Sequence, residues 1–141
     1  MDAIDKLLSK FQPLALSLLR LVTGLLLFQF GVAKILKFPE IPAGNAYAFL
    51  NKVELMSLSG AAGMIELILG ALLMAGLFTR PVAFILAGEM AFAYFMGHAS
   101  RSFFPLINGG TLAIMFCFAC LYLSTAGGGP YSLDAMLRKK T

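Results

Sequence analysis

The sequence predicts an all-α membrane protein, a single domain over residues 1–141 built as a four-transmembrane-helix bundle with both termini in the cytoplasm. The first observation is composition: 60% of the residues are hydrophobic and only 13% are charged, whereas soluble domains average about 25% charged residues. Second, the mean hydropathy is +0.86, and a chain this short cannot hide so much apolar surface in a water-soluble core. Third, four apolar runs each have a length typical of one membrane crossing. These observations exclude the soluble and disordered classes.

The four runs are separated by clear breaks and are predicted as helices over residues 13–36, 55–78, 81–97 and 104–125. The first run is too long for the apolar region of a signal peptide and lacks a small-x-small cleavage site, so we expect it to be retained. Pro81 suits the first position of a helix, where a missing N–H costs nothing. The Gly-Gly-Gly-Pro stretch at residues 127–130 ends the fourth run, and a short amphipathic tail helix is predicted over residues 131–138.

The distribution of basic residues predicts the orientation in the membrane. With four crossings both termini lie on one side, and cytoplasmic segments carry an excess of Lys and Arg. The termini and the second loop together hold six such residues: Lys6, Lys10, Arg80, Arg138, Lys139 and Lys140. The first and third loops hold three: Lys37, Lys52 and Arg101. This asymmetry favours cytoplasmic termini for a protein that crosses the membrane several times.

Four ionisable residues lie inside the apolar runs, where charges are costly. Arg20 and Lys34 lie in the first run, Glu66 near the middle of the second and Glu89 near the middle of the third. A charge at the bilayer centre costs about 2.5–3.5 kcal/mol, so these side chains are expected to face inward and to have partners. Arg20, Gly24, Gly31 and Lys34 share one helix face, and such glycines let neighbouring backbones approach closely. We expect Arg20 to pair with Glu66 or Glu89, either as a structural salt bridge or as part of a proton-handling site.

A second polar set is expected at the outer end, where Lys34 ends the first helix, His98 ends the third and Asn108 begins the fourth. His98 can exchange protons near neutral pH, and the Asn108 amide can hydrogen-bond a carbonyl group. The alternative interpretation is structural: His98 faces lipid headgroups and Asn108 is part of a turn. Cys117 and Cys120 match a C-x-x-C spacing, but on a continuous helix they are expected to pack in the core, not to form a redox pair.

The composition argues against intrinsic cofactors. One His cannot supply the two axial ligands of a membrane haem, and two Cys cannot hold an iron–sulfur cluster. No metal site is predicted. The net charge of +4 comes without a clustered basic face, so the expected partner is the lipid bilayer and not a nucleic acid.

Several motifs, spread over nearly the whole chain, together resemble the DoxX family of small membrane proteins. They are Leu19-Arg20-Leu21 with Gly24, Gly31-Val-Ala-Lys34, Glu66-Leu-Ile-Leu-Gly70, Gly76-Leu-Phe-Thr-Arg80-Pro81, Ala87-Gly88-Glu89, Gly97-His98, Phe103-Phe104-Pro105, Asn108-Gly109-Gly110 and Gly129-Pro130-Tyr131-Ser132-Leu133-Asp134. The resemblance implies a four-helix bacterial inner-membrane protein. The family takes its name from a subunit of a thiosulfate:quinone oxidoreductase, and other members are linked to respiratory or redox-stress assemblies. Thr111 and Phe30 depart from the family pattern, which often has Glu and His at those positions.

These features lead to the hypothesis of a membrane subunit of a quinone-linked oxidoreductase or redox-stress complex. In it Glu66, Glu89 and His98 are the catalytic candidates, and Arg20, Lys34 and Asn108 bind the quinone, with Arg20 holding the acids ionised. Electrons come from a soluble or membrane redox partner. One alternative is a non-enzymatic scaffold or assembly factor. The other is a small transporter or lipid-binding protein, which would need a homo-oligomer because four short spans enclose only a narrow cavity.

Overall fold

The computed structural model describes residues 2–139, which form seven α-helices and one short 3₁₀ helix, with no β-strand in that range. In chain order the elements are α1 (Asp2–Ser9), α2 (Gln12–Leu36), the 3₁₀ helix (Ala48–Lys52), α3 (Leu58–Ala75), α4 (Thr79–Gly97), α5 (Pro105–Asn108), α6 (Thr111–Ala126) and α7 (Leu133–Arg138). Lys140, one of the six basic residues counted for the orientation, lies outside the described residues.

The stretch predicted as one helix over residues 104–125 is divided into α5 and α6. Gly109, with φ of +73°, ends α5, and Gly110 precedes the first residue of α6. The Asn108 side chain stabilises this break because its Oδ1 accepts the N–H of Gly110 at 2.7 Å. A side chain that bonds its own backbone two residues on favours a turn over a continuous helix.

The long helices pack as two close pairs, α2 with α3 and α4 with α6, which also meet each other along α3–α4 and α2–α6. Glycines bring α2 and α3 together, as predicted from their shared helix face. A Cβ atom on Gly24 would lie 2.4 Å from the backbone N of Met74, and one on Gly31 would lie 2.3 Å from that of Leu67. Small residues allow this backbone approach, which strengthens van der Waals packing between membrane helices.

The molecule has an apolar exterior and several polar groups inside. Large apolar side chains on the outer faces of the long helices are at least half exposed: Leu18, Ile68, Phe84, Phe92 and Phe118. The buried polar side chains are Ser17, Arg20, Thr23, Glu66, Thr79, Asn108 and Ser132. Water-soluble proteins rarely bury charged side chains fully or expose apolar patches of this extent. This surface fits an acyl-chain environment.

Within residues 2–139, α2 and α3 are the helices long and apolar enough to cross a membrane by length and composition. Only 33% and 28% of their most apolar segments are buried, unlike the core helix of a soluble protein. α2 also differs from a removable signal because it packs along α3 and contributes the fully buried Leu27 to the core. The other two long helices do not meet both criteria. α6 is apolar but only 16 residues long, and α4 carries the charged residues Arg80 and Glu89, which lower its mean hydropathy.

The two ends of the molecule carry different elements. The loop end carries the connection from α2 to α3, residues 37–57. The terminal end carries α1 and α7.

Candidate functional site

A buried ion pair joins α2 to α3 below the loop end. The Lys34 Nζ lies 2.8 Å from each carboxylate oxygen of Glu66. The Lys34 side chain is 14% exposed and that of Glu66 only 4%. Gly63 makes room for this reach, since a Cβ there would lie 2.8 Å from the Cβ of Lys34. Removing either partner of such a pair leaves an uncompensated buried charge, which destabilises the folded protein.

Glu89 reaches the same level of the molecule from α4. At 1.5 Å per residue, Glu66 lies about 12 Å from the start of α3, and Glu89 lies about 12 Å from the end of α4. Both carboxylate oxygens of Glu89 are buried, and neither has a hydrogen-bond partner within the described residues. The charges of Glu66 and Lys34 act on this carboxylate. We call Lys34, Glu66 and Glu89 the charge cluster.

Arg20 is not part of this cluster, so the expected ion pair with Glu66 or Glu89 is wrong. Its guanidinium lies at the terminal end and donates to the carbonyl oxygens of Leu73 at 3.0 Å, Gly128 at 3.0 Å, Tyr131 at 2.7 Å and Met74. The reason is distance: Arg20 and Lys34 are 14 residues apart on α2, about 21 Å along the helix axis. Arg20 instead satisfies carbonyls at the end of α3, which have no partner inside that helix.

The terminal end is held together by residues 127–134, which we call the closing segment. The two carboxylate oxygens of Asp134 accept the N–H groups of Phe78 and Thr79, each at 2.8 Å, where α4 begins. The Asp134 N–H in turn donates to the carbonyl oxygen of Gly76 at 2.9 Å. Although partial burial alone raises the pKa of Asp134, the bonds from Thr79 and Phe78 outweigh it and hold the pKa below its usual range. Asp134 therefore caps α4 as a carboxylate.

Sequence reasoning missed this role of Asp134. The sequence signal was incomplete: Ser132 is a typical N-cap residue whose Oγ accepts the N–H of Ala135 at 3.2 Å, which marks the start of α7 but not the contact of Asp134 with α4. Arg80 caps the carboxyl-terminal end of α6. Its guanidinium donates to the carbonyl oxygens of Ser124 and Ala126, each at 3.4 Å, and to that of Thr125.

His98 and Asn108 meet at the loop end, as the sequence predicts. The His98 Nδ1 lies 3.0 Å from the carbonyl oxygen of Asn108. Asn108 is 2% exposed, and its amide donates to the carbonyl of Ser102 at 2.9 Å and to the Tyr94 hydroxyl at 3.4 Å. The Asn108 side chain is thus engaged in the turn. His98 is half-buried, and its Nε2 has no hydrogen-bond partner among residues 2–139.

A cleft of about 210 Å³ opens at the loop end between α2 and the loop that follows it. Phe30 and Tyr47 line it, with ring centroids 5.5 Å apart in an edge-to-face arrangement. The exposed amide of Gln29 on α2 lies on its wall. None of the predicted site residues lines this cleft, although Ala33, the neighbour of Lys34 on α2, does. Sequence reasoning missed the cleft because the loop that closes it has no motif.

The described residues contain no group of three or more His, Cys, Asp or Glu side chains placed to hold a metal ion. Cys117 and Cys120 are free thiols, and Cys120 is fully buried in the core.

An apolar exterior, close glycine packing and a charge cluster inside are the features of a helical membrane protein with a polar interior. The comparisons with known proteins agree, since a model of the DoxX family matches residues 15–99. The chain therefore belongs to the DoxX family. It is also 40% identical over 136 residues to an uncharacterized protein of Haemophilus influenzae, a match that covers 94% of this chain and 98% of the relative. No solved structure matches it significantly.

Proposed function

We propose that this DoxX protein crosses the bacterial inner membrane four times, through α2, α3, α4 and α6, with both termini in the cytoplasm. The packing of α4 and α6 against α2 and α3 supports this topology, because all four present apolar faces outward. α6 spans about 24 Å at 1.5 Å per residue, and α5 precedes it at the loop end. The excess of Lys and Arg at the terminal end favours the cytoplasm for that side.

We further propose that the protein is the membrane subunit of a quinone-linked oxidoreductase and that the charge cluster exchanges protons with the quinone. The observation that carries this proposal is the buried Glu89 carboxylate, which has no hydrogen-bond partner within the described residues. Lys34 and Glu66 neutralise each other, so the cluster is neutral only when Glu89 holds a proton. Because an unpaired charge in the membrane interior is costly, Glu89 is suited to receive and release that proton.

Quinone reduction needs a supply of protons as well as a supply of electrons. Reducing a quinone to a quinol adds two electrons and two protons; the electrons would come from a redox partner and the protons through Glu89. The cleft beside Phe30 and Tyr47 suits a quinone ring, since aromatic rings favour offset or edge-to-face contacts. At about 210 Å³ it is smaller than the usual ligand pocket of about 300–1,000 Å³, so it would hold the ring while the tail remains in lipid. Asn108 is a weaker candidate for the quinone carbonyl because its amide already has partners.

The test combines bound quinone with the protonation of Glu89. The protein is purified in a mild detergent with native lipids, and quinone is extracted and quantified per chain by mass spectrometry. Infrared difference spectra are then recorded on adding quinone and reducing it to quinol. Wild type is expected to retain quinone and to show a carboxylic-acid C=O band that changes on reduction.

Glu89→Gln is expected to lose the change in that band, while the exposed control Glu54→Gln keeps it. Phe30→Ala is expected to lose most of the bound quinone. A wild-type protein that holds no quinone and shows no carboxyl change would contradict the proposed role.

A second candidate function is a scaffold or assembly factor. Two observations favour it: Arg20 and Asn108 are engaged in hydrogen bonds that hold the fold, and the cleft is not lined by the charge cluster. This function predicts that gentle purification recovers a stoichiometric protein partner and no quinone. It also predicts that Glu89→Gln alters recovery of that partner without any redox phenotype of its own.

A further inference from the structure

The amino-terminal helix α1 has one strongly apolar face that the other residues described in the structure leave uncovered. Its apolar side chains recur at the i, i+3, i+4 and i+7 positions of a helix and are 54–64% exposed: Ile4, Leu7, Leu8 and Phe11. Phe11 lies just beyond α1 but keeps right-handed helical backbone angles, with φ of −90° and ψ of −7°. These four side chains form one continuous stripe.

The opposite face of α1 is polar and carries two cations, Lys6 and Lys10, together with the acidic Asp5. At 100° per residue, Lys6 and Lys10 lie more than about 90° from the centre of the apolar stripe, as do Asp5 and Ser9. A short helix with an apolar face and lysines on the other is the pattern of helices that lie in a membrane surface.

The position of α1 brings this face to the edge of the bilayer. Only Lys10 and Phe11 separate α1 from α2, the longest apolar helix of the chain. The break between the two helices provides a place for the chain to turn from the membrane surface into the membrane. Because α1 is tethered at this edge, insertion is intramolecular, and even a short helix can bind effectively.

We propose that α1 is an interfacial helix that binds an anionic phospholipid surface. Ile4, Leu7, Leu8 and Phe11 insert between the acyl chains near the headgroups, and Lys6 and Lys10 face the lipid phosphates. α7 lies at the same end and also exposes apolar side chains, Met136 and Leu137 at 58% and 55%. The lysines select an anionic leaflet because they are attracted by its negative surface potential.

The absence of Trp from the sequence makes a clean test available. Phe11→Trp places a single fluorophore on the apolar stripe, and Ser9→Trp is the matched control on the polar face of the same helix. Each full-length variant is reconstituted in lipid nanodiscs of phosphatidylcholine alone or with phosphatidylglycerol. Quenching is measured with aqueous iodide and with lipids brominated near the headgroup. The elution profile and circular dichroism of each variant show that it is folded.

In phosphatidylglycerol nanodiscs, Phe11→Trp is expected to be blue-shifted, quenched severalfold more by brominated lipid than Ser9→Trp, and protected from iodide. Adding Lys6→Gln and Lys10→Gln is expected to abolish the preference for phosphatidylglycerol. Equal iodide quenching of the two Trp positions would overturn the proposal. Protection of Phe11→Trp without lipid quenching would also overturn it, because a protein surface would then cover the stripe. Equal insertion into both lipids would overturn the selectivity for anionic headgroups.

Discussion

At the scale of single residues, the charged side chains inside this protein differ in the partners that offset the free-energy cost of burial. Arg20 distributes its N–H groups over backbone carbonyls, and Lys34 and Glu66 neutralise each other. Glu89 has neither kind of partner within the described residues. It is therefore the group of this set whose charge the fold does not fix, which is why the proposed proton exchange centres on it.

The Lys34–Glu66 pair predicts an asymmetric pattern of variant stabilities. Lys34→Met leaves the Glu66 carboxylate buried without its cation, and removing one partner of a buried pair costs about 3–5 kcal/mol. The double variant Lys34→Met with Glu66→Met is expected to recover most of that loss, because no unpaired charge remains. Thermal unfolding in detergent, followed by circular dichroism, measures the midpoints. The exposed control Lys52→Met is expected to unfold like wild type. A double variant less stable than Lys34→Met would show that the pair does not act as a unit.

At the scale of elements, glycines allow the close approach of α2 and α3. Gly31→Ala would place its Cβ 2.3 Å from the backbone N of Leu67, so α2 and α3 must separate. Overpacking costs about 1–3 kcal/mol, and a lower unfolding midpoint in detergent is expected. The control is Gly88→Ala on α4, which faces open space. There Ala is expected to be neutral or stabilising, because Ala favours a helix over Gly by up to about 1 kcal/mol. Equal effects at both positions would mean that helix propensity, not close packing, decides.

The cap that Asp134 places on α4 predicts a pH dependence at the terminal end. Its folded-state pKa is lowered, so its stabilising contribution is present above the unfolded value of about 3.9 and is lost as pH falls through the folded value. The temperature of the unfolding midpoint is therefore expected to decrease when the pH is lowered below about 4. Asp134→Asn is expected to be less stable at neutral pH and to lose this part of the acid dependence. The Asn variant retaining the full dependence would assign it to other carboxylates.

The helices that carry this site are predictable from the sequence, but the pairing of their charged residues is not. Helical spacing put Arg20, Gly24, Gly31 and Lys34 on one face of α2, and the glycines do pack against α3. Spacing along one helix does not show what lies at the same level on the next, so it does not predict that Lys34, and not Arg20, pairs with Glu66. Counting residues from the loop end would have favoured Lys34 for Glu66. The Asp134 cap and the Phe30–Tyr47 cleft depend on loops, whose course no periodicity predicts.

At the scale of the whole molecule, the proposed orientation makes the two ends chemically distinguishable. In a chain whose native thiols are replaced by Cys117→Ser and Cys120→Ser, single cysteines are introduced as Gly44→Cys at the loop end and Ser9→Cys and Lys139→Cys at the terminal end. A membrane-impermeant maleimide is applied to spheroplasts before and after lysis. Gly44→Cys is expected to react in intact spheroplasts, because four crossings from a cytoplasmic amino terminus place the loop end outside. Ser9→Cys and Lys139→Cys are expected to react only after lysis. If only one of Ser9→Cys and Lys139→Cys reacted in intact spheroplasts, the chain would cross the membrane an odd number of times. If both reacted, the orientation would be the reverse of the one inferred from the Lys and Arg distribution.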